Sequence, residues 1–129
     1  MRSASFFLVV IQHNYYYVED LMRVFAVYDK KSQSYNTPFF CANDDLAKRS
    51  FIDLCRDART VVALHPEDFD LWYLGTFMEG TACFLQAQNG DHAVCQIMTG
   101  VEARIAALKA DRFASELVKA STDKVEKNA

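Results

Sequence analysis

The chain has 129 residues, 51% of them hydrophobic and 24% charged, which is one ordinary domain with enough apolar content to bury a core. Four Gly and two Pro exclude collagen-like, linker-like and low-complexity classes. Fourteen basic residues against 17 acidic ones, a net charge of -3, exclude a protein that coats nucleic acid by charge alone.

In chain order, Arg2 precedes an apolar run over residues 6–11. The run is too short to cross a bilayer, which takes roughly 20 apolar residues. Gln12, His13, Asn14 and three tyrosines follow it with no small-residue cleavage site, so neither a secretory leader nor a membrane partner is expected. Met22 stands directly before a clean strand pattern. Residues 1–21 are therefore read as an N-terminal extension, and the domain as residues 22–98 followed by a tail over 99–129.

Val24, Phe25, Val27 and Tyr28 predict a strand over residues 23–28, and Asp29, Lys30, Lys31 and Ser32 supply a polar turn. A second strand over 35–40 follows, with Pro38 marking an edge; the short gap makes the pair an antiparallel hairpin. Asn43 is a good helix N-cap, and Asp44 and Asp45 suit the first turn. Leu46, Phe51, Leu54 and Cys55 share one face of a helix ending near Arg56 or Ala58. Residues 61–64 read as a strand or an extended link. His65, Pro66, Glu67 and Asp68 form a turn in which a carboxylate caps a neighbouring amide. Residues 69–78, with Phe69, Leu71, Trp72, Tyr73, Leu74 and Phe77, are the strongest strand, and Glu79 and Gly80 turn it into residues 83–86. Asn89, Gly90 and Asp91 break the chain. A second helix spans 101–118, with Val101, Ile105, Leu108, Phe113 and Leu117 at helical spacing, and residues 121–129 fray. The fold class is α+β: a small antiparallel sheet of about four strands from two hairpins, a helix across one face, and a C-terminal helix.

Cys41, Cys55, Cys83 and Cys95 form no CxxC pair and match no zinc-site spacing, so they read as buried free thiols. His65 beside Glu67 and Asp68 has no supporting nucleophile or ligand motif. Asp45, Asp53 and Asp57 lie on the outer half of a surface helix, beside Lys48, Arg49 and Arg56. Gly75, Gly80, Gly90 and Gly100 are too dispersed for a phosphate loop. No catalytic residue, metal or cofactor is expected, and the protein is not read as an enzyme.

The chemistry that remains is aromatic rings on a sheet beside cations. Bases stack on such rings for roughly 1–3 kcal/mol each. The first strands offer Phe25, Tyr28, Tyr35, Phe39 and Phe40. The candidate nucleic-acid contacts are Arg23, Lys30, Lys31, Tyr35, Phe39, Lys48, Arg49, Arg56 and Arg59. Seven basic residues stand against ten acidic ones between Met22 and Met98, so contact has to be a local patch of modest, salt-sensitive affinity.

Five segments also carry a family resemblance: VFAVYD from Val24, PFF from Pro38, FxDL from Phe51, HPEDF from His65 and LxxLGTF from Leu71. In this order and spacing, over about residues 22–85, the chain resembles the small nonstructural protein of gokushovirus-type microviruses, which are single-stranded DNA phages. The resemblance implies a non-enzymatic accessory protein of the host cell cytoplasm. Such a protein would bind single-stranded or replicative-form viral DNA and assist genome replication or the switch to packaging. The alternative is a protein-interaction module that docks on capsid, scaffold or host replication proteins.

One further expectation concerns assembly. Leu71, Trp72, Tyr73 and Leu74 are consecutive, so the strand carries large side chains on both faces. The face away from the first helix needs a cover, either the tail helix burying Ile105, Leu108, Phe113 and Leu117 or a second copy. A homodimer or small homo-oligomer is expected.

Overall fold

The structure, a computed structural model, describes residues 21–87 and 94–127. Residues 1–20 of the extension read over 1–21, with its apolar run, the break at Asn89, Gly90 and Asp91, and residues 128–129 lie outside the described residues.

Two long strands form the middle of the sheet. β1 (Leu21–Asp29) runs antiparallel to β4 (Phe69–Met78) over its whole length, from Leu21 opposite Met78 to Asp29 opposite Phe69. Val24, Phe25, Ala26 and Val27 are all buried, in a strand that has neighbours on both edges. The other edge of β1 is lined by β2 (Ser34–Tyr35) and β3 (Phe39–Cys41). The sequence predicts one strand over 35–40; the structure splits it at Asn36, Thr37 and Pro38, because proline has no N–H to give to a ladder. The far edge of β4 is shared. β5 (Cys83–Gln86) pairs with its end and β6 (Cys95–Thr99) with its beginning, so the sheet has six strands rather than about four.

Helix α1 (Asp44–Arg56) starts where the Asn43 side chain accepts a hydrogen bond from the Leu46 amide at 2.9 Å, and it buries Ala47, Phe51 and Cys55. These meet Phe25, Val27, Phe69, Leu71 and Tyr73 in the main core. Residues 61–64 are neither strand nor extended link. They form a one-turn helix, α2 (Val61–Leu64), because Thr60 caps it by accepting from the Ala63 amide at 3.1 Å. Pro66–Asp68 is a 3-10 turn without a side-chain cap. The carboxylate cap expected there is replaced by backbone: the Asp68 amide donates to the His65 carbonyl at 3.0 Å. The Lys30 amide donates to the Asp68 carbonyl at 2.8 Å, tying this turn to the β1 hairpin.

The last helix, α3 (Gly100–Lys127), is longer than predicted and does not fray at residue 121. A reciprocal cap starts it: the Thr99 hydroxyl accepts from the Glu102 amide and the Glu102 carboxylate accepts from the Thr99 amide. Gly100 sits so close to the preceding turn that a Cβ there would run into the Pro66 carbonyl oxygen. The helix faces the core with Ala103 and Ala107, both fully buried, since only small side chains let it approach α1. Ile105, Leu108, Phe113 and Leu117 are 49%, 52%, 62% and 55% exposed. The tail helix therefore packs on the same side of the sheet as α1 and covers nothing on the other side. All four cysteines are free, but only Cys55 is buried. Burial pushes its thiol up from the ordinary range, with the Arg104 charge partly opposing.

Candidate nucleic-acid interface

Alternate residues of β1 and β4 divide their side chains between two faces. One face, with Phe25, Val27, Leu71 and Tyr73, belongs to the helix-covered core. Arg23 lies on this side, with its guanidinium 4.0 Å from the centre of the Tyr73 ring and 2.7 Å from Asp44. Phe39 stacks on Phe25 here at 5.9 Å.

The other face is paved with aromatic rings in two clusters. In the first, Tyr28 and Tyr35 lie 4.8 Å apart, centroid to centroid, and Trp72 lies 6.4 Å from Tyr28 and 6.1 Å from Tyr35. In the second, Phe77 lies 5.3 Å from Phe40 and 4.6 Å from Phe84. A β-bulge makes the two clusters coplanar. Val24 pairs with Gly75 but Phe25 pairs with Tyr73, leaving Leu74 without a partner on β1. That extra residue shifts the alternation, so Trp72 and Phe77 share a face although they are five positions apart. Between the clusters runs a groove of about 430 Å³, lined by residues including Val24, Tyr35, Gly75, Phe84 and Gln86. Gly75 on this groove has to be glycine, since a Cβ there would run into the Leu85 carbonyl oxygen of the neighbouring strand.

Charge enters this face at one end. Lys30 Nζ lies 3.3 Å from the buried Asp70 carboxylate and donates to the Glu67 carbonyl at 3.1 Å, and Lys31 is exposed in the adjacent turn. Asp70 Oδ1 and Trp72 Nε1 are buried with no hydrogen-bond partner among the described residues. Each such group costs about 1–3 kcal/mol.

The nine predicted contacts are thus divided. Lys30, Lys31 and Tyr35 come together at the first aromatic cluster. Arg23 and Phe39 are spent on the core side. Lys48 and Arg49 ride on α1, behind the sheet; Arg56 pairs with Asp111 of α3. Arg59 forks onto Asp57 at 2.9 and 3.0 Å, which holds the Asp57 carboxyl below its ordinary range. Sequence reasoning did not select Trp72, Phe77 or Phe84. Their signal is the aromatic density of β4 and β5, but the bulge hides their common face.

His65, Glu67 and Asp68 bring their ligand atoms within 4.8 Å of one another on the surface. His65 Nδ1 stands 3.9 Å from Glu67 Oε1. The backbone of this turn anchors the β1 hairpin. No helix among the described residues is long and apolar enough to cross a membrane.

Among known proteins, the family model described as phage ORF5 protein matches residues 22–102, well over half of the chain. No curated protein and no solved structure matches it.

Proposed function

We propose that this chain, which belongs to the phage ORF5 protein family, is an accessory protein of a gokushovirus-type microvirus that holds single-stranded viral DNA on the aromatic face of its sheet. Acting in the host cytoplasm without catalysing a reaction, it would assist genome replication or the switch to packaging. The observation that carries this reading is the pair of ring clusters, Tyr28–Tyr35–Trp72 and Phe40–Phe77–Phe84, on one face with a groove between them. Unpaired bases stack on such rings irrespective of sequence, whereas duplex DNA hides its base faces. Among the described residues only Lys30 and Lys31 stand at its edge, so few phosphates are neutralised and the salt dependence is shallow.

A fluorescence-anisotropy titration with single-stranded and duplex oligonucleotides, at low and moderate salt, tests this. Single-stranded DNA should bind in preference to duplex, and Tyr35→Ala should weaken it. Absence of binding at low salt sinks the DNA reading. A second reading is favoured by the scarcity of cations on the face and the net charge of -3: a protein surface, of capsid, scaffold or replication machinery, docks on the same rings. A phage-protein complex that survives nuclease treatment and is lost with Tyr35→Ala would support it instead.

A further inference from the structure

The two strands on the far edge of β4 are mostly apolar. β5 has the sequence CFLQ and β6 the sequence CQIMT, and each carries one amide side chain, Gln86 and Gln96. Register puts both amides on the open face. Gln86 stands opposite Gly75 and Gln96 opposite Trp72, and directly opposed residues of antiparallel strands share a face. Gln86 lines the groove between the ring clusters, and both glutamines are exposed. Their partners on β4 are three positions apart, roughly 10 Å along the strand. One rim of the aromatic face is thus marked by two neutral amides. The cations stand elsewhere, at Lys30 and Lys31 in the turn after β1.

We propose that Gln86 and Gln96 each hydrogen-bond the pairing edge of a base whose ring stacks on the aromatic clusters, an inference that rests on the single-stranded-DNA reading above. A glutamine amide offers an acceptor beside two donor hydrogens. Each of the four bases carries a donor beside an acceptor on its pairing edge, so one amide complements any of them. In a duplex those edges are turned to the opposite strand. Unpaired bases splayed on aromatic rings present them freely. The amides therefore add a second ground for choosing unpaired strands, while leaving sequence tolerance intact. Backbone phosphates need cations rather than amides, so the phosphates and the base edges of one strand meet different groups on this face.

Stacking alone favours the less polar ring; the amides favour a ring with a pairing edge. Anisotropy titrations of the full chain separate the two by comparing an oligothymidylate with the same strand built on difluorotoluene, a thymine-shaped ring without the N–H and carbonyl groups. The thymidine strand should bind about thirtyfold more tightly, from two base-edge contacts at the weak end of their range. Gln86→Leu and Gln96→Leu should each give up about fivefold of that advantage. The double variant should bind the difluorotoluene strand as the wild type does and no longer distinguish the two strands. A wild type that binds both strands equally overturns the inference and leaves stacking on the rings standing. A thymidine preference that survives in both single variants overturns the assignment to these glutamines. Binding of neither strand overturns the DNA reading and this inference together.

Discussion

The two faces of one sheet use the same residue types for different ends. On the covered face Phe25 and Tyr73 are 0% and 2% exposed beneath α1, in a core they share with Phe51, Cys55, Val62 and Leu71. On the open face Tyr35, Phe40 and Phe84 are 45%, 44% and 65% exposed and lie against other rings of their two clusters. Burial against the helices turns aromatic area into stability, at about 25 cal/mol per Å². Rings left in water keep that area for a ligand. The difference lies in which side the helices occupy, not in the strands themselves.

Four substitutions probe that contrast. The largest effect belongs to Phe51→Ala on α1, which empties the covered face. About 3–5 kcal/mol of stability should be lost, a large share of what a small domain has, and urea unfolding monitored by circular dichroism should show a collapsed midpoint. Lys30→Met comes next. It strips the partner from the buried Asp70 carboxylate, and because Lys30 is half-exposed the loss should be about 1–3 kcal/mol in the same assay. Tyr35→Ala should leave the melting temperature within a few degrees while lowering single-stranded DNA affinity by about 1–3 kcal/mol. An equal loss of stability and binding would show that the open face is merely a second core. Asn43→Ala should cost about 1 kcal/mol through the lost α1 cap and leave DNA binding unchanged.

The thiols give the smallest and most local measure. Alkylation monitored by mass spectrometry should label exposed Cys95 first and Cys55 last. The Cys55 thiol is pushed up in the folded state by burial, so the fold favours its protonated form. Its contribution to stability is complete below the ordinary thiol range and is lost as pH rises from there through the raised value of the folded state.

Much of this was legible in the residues. Asn43 with Asp44 and Asp45 marked the start of α1, the Phe51–Cys55 spacing marked its buried face, and the aromatic run from Phe69 marked the central strand. Three local rules misled where a neighbour intervened. Pro38 split a strand that propensity joined. Thr60 capped a helical turn that periodicity read as extended. The alanines of α3, not its large side chains, faced the core, because approach to α1 rewards small volume over hydrophobicity. The candidate cations suffered most, since residues close in sequence, such as Arg23 and Lys30, ended on opposite sides of the sheet.

The sequence by itself determined the α+β class, membership of the phage ORF5 protein family and the chemical inventory of rings and cations, because periodicity, capping and motif spacing are local properties of the chain. Only the tertiary structure decided which rings stay in water. That choice depends on the bulge at Leu74, which reverses the alternation of β4, and on both helices packing against one face. Each is settled by contacts between residues far apart in the chain, where no local pattern reaches.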